Sequence, residues 1–161
     1  MDENEITEAI KRGKLPTTTA DKVSMGLFLL IATAICIITI QNGTTFFLFI
    51  IASIILIGII SAFRYNKLTP YMNTLSINKK ALVLYQIADG PDVYNVEKEN
   101  NSYNIYFKAG WFVYAYKVII LYDDSGYYIT SHAQYYNRGA GVRVNKTKQI
   151  IDKIKKLEAE L

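Results

Sequence analysis

Val23 to Phe63 contains no Asp, Glu, Lys, Arg or His, and it is bounded by Lys22 and Arg64. No other feature constrains the chain as much as this charge-free run of forty-one residues. One helix needs about 20 residues to cross a bilayer, and this run holds enough for two. Gln41-Asn42-Gly43-Thr44 breaks it into Val23–Ile40 and Thr45–Phe63. Each half can satisfy its own backbone hydrogen bonds as a helix, which hydrocarbon requires. The run therefore predicts a membrane α-helical hairpin with crossings over 23–40 and 45–63.

The hairpin divides the chain into an arm over 1–22, the apolar segment over 23–63 and a domain over 64–161. The last part is long enough for one small core and too short for two. Lys and Arg flank both outer ends of the hairpin and are absent from its turn, so the positive-inside rule places both termini in the cytoplasm. No charged group lies in the run, which argues against an ion pathway. Gly58 and Ala62 form a small-x-x-x-small pair. Such a pair packs closely within the hairpin or serves as a self-association face between protomers.

Residues 2–12 predict a short helix with Ile6, Ala9 and Ile10 on one side, stopped by Gly13 and Pro16. It reads as a juxtamembrane tail, with an interfacial anchor as the alternative. Beyond Arg64 the pattern changes to period two. Leu75/Ile77, Ala81–Ile87, Val93–Lys98, Ser102–Lys108, Trp111–Tyr122 and Tyr127–Tyr136 read as six strands, with Gly141–Val144 a candidate seventh. Turn residues such as Asp89-Gly90-Pro91, Asn100-Asn101 and Asp123-Asp124-Ser125-Gly126 separate them. Short β-branched and aromatic runs at this spacing predict a small antiparallel all-β, barrel-like domain. Asn145 can cap a helix over Lys146–Leu161, where Ile150, Ile154, Leu157 and Leu161 make one apolar stripe. That amphipathic helix closes the barrel, or lies on an anionic leaflet or a partner helix.

The soluble part offers little catalytic chemistry. Cys36 is the sole cysteine and lies in the apolar run, and His132 is the sole histidine. No metal-ligand cluster or nucleophile–base set is visible, so no enzyme activity and no cofactor are expected. Residues 64–161 carry 14 Lys/Arg against nine Asp/Glu, and the excess is concentrated between Arg138 and Lys156. Within that stretch Arg138-Gly139-Ala140-Gly141-Val142-Arg143 sets two arginines around small residues just before a helix start. Small residues let backbone N–H groups approach an anion, and Arg can clamp phosphate in a fork. The alternative is a flexible connection with solvated arginines. All thirteen tyrosines fall between Tyr65 and Tyr136. They suit a half-buried pleated surface, or a ring-stacking pocket for a planar ligand. Polymeric nucleic acid is not expected, because the basic charge is gathered toward one helix.

The succession of Val23–Phe63 and Leu75–Val144 resembles, in architecture, the two-transmembrane, β-barrel effectors of bacterial cyclic-oligonucleotide antiphage defence. The resemblance implies a multi-pass protein of the bacterial inner membrane whose barrel recognises a cyclic nucleotide. Recognition would then drive homo-oligomeric association and membrane disruption. On that reading Arg138, Arg143 and one or more of Tyr103, Tyr106, Tyr114 and Tyr116 contact the ligand, and Gly58 and Ala62 serve assembly. Lys146–Leu161 fits equally a pleckstrin-homology-like barrel. The second reading is therefore a membrane-anchored adaptor that holds a protein partner or lipid headgroups.

Overall fold

The computed structural model describes residues 1–17, 19–41, 52–53, 55–56, 66–108, 115–134 and 146–161. The elements run α1 (Glu3–Arg12), α2 (Thr19–Gln41), β1 (Thr69–Met72), α3 (Ile77–Ala88), β2 (Val93–Glu99), β3 (Ser102–Lys108), β4 (Ala115–Tyr122), β5 (Gly126–Gln134) and α4 (Lys146–Glu158). They fall into two compact units, one made of Met1–Pro16 with Lys67–Leu161, the other of Thr17–Asn66.

The first unit is built on a five-stranded antiparallel sheet in the order β1-β5-β4-β3-β2. Alternation along each strand divides its side chains between two faces. Tyr103, Ile105 and Phe107 of β3 share the first face with Val118, Ile120 and Tyr122 of β4 and with Tyr127 and Ile129 of β5. Val83, Leu84 and Ile87 of α3 and Ile150 and Ile154 of α4 pack on them, forming the main core. On the second face Leu121 and Tyr128 pack with Ile6, Ala9, Leu15 and Leu68. Met1–Pro16, the first part of the arm, thus belongs to the sheet unit and contributes one of its layers.

Local chemistry explains the arm's geometry. Asp2 and Glu5 form a capping box, with Glu5 N donating to Asp2 Oδ1 at 2.7 Å and Asp2 N donating to Glu5 Oε2 at 3.2 Å. Gly13 ends α1 in the left-handed region at φ 63°, where a residue lacking Cβ is at ease. The chain then returns to the sheet unit through a bridge between Lys14 and Lys67, and Leu68 N donates to Gly13 O at 2.9 Å.

Two further contacts hold the sheet's β1–β5 side. A Cβ on Gly126 would lie 2.3 Å from Tyr71 O, so only glycine lets β1 approach β5 there. Lys80 of α3 is fully buried, and its ammonium donates to Asp123 O at 2.7 Å and Asp124 O at 2.8 Å, tying α3 to the β4–β5 turn. Burial holds the Lys80 pKa below the ordinary lysine value, while Asp123, Asp124 and Glu158 pull it the other way.

The structure corrects the expected architecture in three respects. The sheet is open and does not close into a barrel: β1 and β2 are its two edges. β1 has four residues and contains Pro70, which has no N–H to offer a closing strand. The Ala81–Ile87 strand is instead the body of α3, and α4 packs across an open sheet rather than closing a barrel. Val83, Leu84 and Ile87 join Lys80 as the buried residues of α3, at helical spacing.

The third correction concerns the hairpin. Among the described residues no helix is long and apolar enough to cross a membrane. Leu27, Leu30, Ile31 and Ile38 of α2 are exposed. Of the expected second crossing, 45–63, only 52–53 and 55–56 are described. The membrane hairpin, and with it the multi-pass inner-membrane location, is withdrawn on this finding. Gly58 and Ala62, the expected assembly pair, lie outside the described residues.

Candidate functional site

The tyrosines singled out by the sequence do not form one surface. Tyr103 is buried on the first face, where it packs against Tyr122 with ring centroids 6.2 Å apart and lies under the Lys98 ammonium at 5.4 Å. Tyr116 lies half-buried on the same face, at the other end of β4. Tyr106 is on the opposite face, since it sits one residue from Ile105 in β3. Tyr114, Arg138 and Arg143 lie outside the described residues.

Around Tyr116 the first face has a distinct corner. Phe107 and Tyr116 are direct cross-strand partners, so their rings stand side by side. The ammonium of Lys146, the first residue of α4, lies 5.2 Å from the Tyr116 ring centroid and 5.8 Å from that of Phe107. Next to it, the hydroxyls of Thr147 and Ser131 share a hydrogen bond at 2.9 Å, fixing the start of α4 on β5. Lys146 has no carboxylate within ion-pair distance among the described residues. Among the described residues its charge is met by these two aromatic faces, a contact worth about 0.5–2 kcal/mol depending on how dry the site is. A cation so placed remains able to meet an anion, and the adjoining rings can receive a flat group.

The opposite face carries a contrasting cluster. Tyr94 and Tyr106 meet with centroids 5.9 Å apart. Tyr106 Oη donates to Glu97 Oε2 at 3.1 Å, and Asn104 Nδ2 donates to the same oxygen at 3.3 Å. The Lys117 ammonium lies 5.3 Å from the Tyr106 centroid. Burial first, and then the bond to Glu97, push the Tyr106 phenol up to about 12. His132 is buried on this face as the cross-strand neighbour of Lys117. Among the described residues no group of three or more His, Cys, Asp or Glu side chains is placed to hold a metal ion.

Sequence reasoning missed Lys146 and Phe107 as partners of Tyr116. It placed Lys146 at the start of the basic helix and Phe107 in the Ser102–Lys108 strand. Their meeting depends on the register across the β3–β4 connection and on where α4 lands, neither of which is a local property. No protein family, no curated protein and no solved structure matches the chain.

Proposed function

We propose that the sheet unit is a non-enzymatic recognition module for an anionic ligand with a planar group, bound at the corner formed by Lys146, Tyr116 and Phe107. The observation that carries this reading is the Lys146 ammonium held over two ring faces, without a carboxylate partner among the described residues. The basic excess between Arg138 and Lys156 in the sequence, to which Lys146 belongs, has the right sign to attract an anion. Cyclic oligonucleotides are the first ligands to try, because they combine phosphate with flat bases.

The test uses the full chain and a panel of cyclic di- and trinucleotides, read by thermal stabilisation and calorimetry. At least one member stabilises the chain. Lys146→Gln weakens that binding roughly tenfold, the scale of one charge-assisted contact. Tyr116→Ala weakens it as well, through lost stacking. Absence of stabilisation by every member, or stabilisation that survives Lys146→Gln unchanged, overturns the reading.

A further inference from the structure

The sheet has two edges of different character. β1 is short and carries Pro70. β2 is seven residues long, and among the described residues it pairs with β3 alone, leaving its outer row of N–H and C=O groups open. An edge of this length is a template for strand addition by another chain.

The side chains along β2 restrict what can be added. Glu97 is exposed, and two neutral donors, Tyr106 Oη and Asn104 Nδ2, hold it by one oxygen. Its second oxygen has no partner among the described residues, and no Lys or Arg lies within ion-pair distance of it there. The carboxylate is therefore oriented while, among the described residues, no Lys or Arg pairs with it. Beside it stand the rings of Tyr94 and Tyr106, the former 41% exposed. A fixed carboxylate next to two ring faces is suited to a guanidinium or ammonium. Lys117 belongs to β4, two strands in from the edge.

The same features select against a second copy of this chain. Residues 95–99 pair regularly with β3, whereas Tyr94 is an extra residue that bulges the strand. Two copies joined antiparallel about the middle of that regular stretch would set Glu97 against Glu97. Like charges directly opposite are destabilising. We propose that β2 accepts an extended segment of a partner protein as a sixth strand, with an arginine or lysine of that segment set against Glu97 beside Tyr94 and Tyr106. This surface is on the opposite side of the sheet from the Lys146 corner and stands independently of it.

The probe is a capped peptide, Thr-Val-Thr-Arg-Thr-Val-Thr, added to the full chain. Binding is followed by fluorescence anisotropy and by hydrogen exchange. Binding slows exchange of the Val93–Glu99 amides and leaves those of Thr69–Met72 unchanged. Replacing the peptide's arginine with glutamate weakens binding at least tenfold. Glu97→Gln, a conservative change at an exposed position, does so by a similar factor. Replacing the central Thr-Arg-Thr with Pro-Arg-Pro abolishes the exchange protection, because proline cannot donate to the ladder. Three results would overturn the proposal: equal binding of the arginine and glutamate peptides, binding without protection of Val93–Glu99, or concentration-dependent protection of that strand in the chain alone, which would assign the edge to a second copy.

Discussion

The two faces of one sheet are finished differently, although the strands supply both by the same alternation. The first face is roofed by α3 and α4 and holds the main core, with the Lys146 corner at one end. The second is covered by α1 over Leu121 and Tyr128, and farther along β3 and β4 it presents Asn104, Tyr106 and Lys117. Both faces have a lysine over an aromatic ring. They differ in the carboxylate: Glu97 stands beside Tyr106, whereas Lys146 has no ion-pair partner among the described residues. One architecture thus presents an anion-seeking corner and a cation-seeking edge on opposite sides. The sign of the charge left uncompensated distinguishes them.

The largest contrast between the faces lies in stability. Ile154 is fully buried in the main core, so Ile154→Ala removes methylenes where two helices and the sheet hold the cavity open. It costs about 2–5 kcal/mol in urea unfolding. Ile6 is nearly as buried, but it belongs to the smaller cluster under a single helix that can settle into the space left. Ile6→Ala stays near the lower end, about 2 kcal/mol. If Ile6→Ala proves the costlier change, the ranking of the two faces is wrong.

A smaller effect is expected at Lys80, which joins the first-face helices to the β4–β5 turn. Lys80→Met keeps most of the aliphatic stem and removes the donor to Asp123 O and Asp124 O. Each lost bond to a charged group is worth about 1.5–3 kcal/mol, but the variant also escapes the cost of burying an ammonium. A net loss of about 1–2 kcal/mol is expected from those opposing terms. Unchanged or increased stability would show that the ammonium contributes no net stability there.

These contrasts also show what local pattern can and cannot reveal. β2 and β3 were legible because Asn100-Asn101 separates two alternating runs, and Asn100 indeed adopts a positive φ of 42°. The final helix was legible from Ile150, Ile154 and Leu157. α3 was not, because Ala81–Ile87 is rich in residues that also suit strands, and its buried stripe includes a lysine. Counting that lysine as a buried position would have restored the helical period. The apolar run Val118–Leu121 in β4 was a usable sign that both faces of the sheet are covered. The arm's stripe of Ile6, Ala9 and Ile10 could have been matched to it. Closure of the sheet was not legible, since it depends on whether distant edges pair. Nor was the Lys146 corner, which requires both a strand register and the landing point of a helix.

The smallest effect links the faces through two matched pairs. On the first face Tyr71 Oη donates to Glu158 Oε2 at 2.8 Å, and on the second Tyr106 Oη donates to Glu97 Oε2 at 3.1 Å. Burial, reinforced by the carboxylate, pushes each phenol up to about 12 from the usual 10. Between those values the folded chain keeps protons that the unfolded chain has released. Each pair's contribution is therefore complete below pH 10 and is lost as the pH rises through about 12. Unfolding measured from pH 8 upward should show stability falling across that window, and Tyr71→Phe and Tyr106→Phe should each flatten part of the fall. The Tyr71 change should also loosen β1 against α4, because Glu158 holds Asn73 as well. The Tyr106 change should leave the fold intact and free the Glu97 carboxylate, weakening the arginine peptide. Equal slopes in the parent and both variants would show that these phenols titrate alike in the folded and unfolded chain, which would remove the electrostatic half of the contrast and leave packing alone.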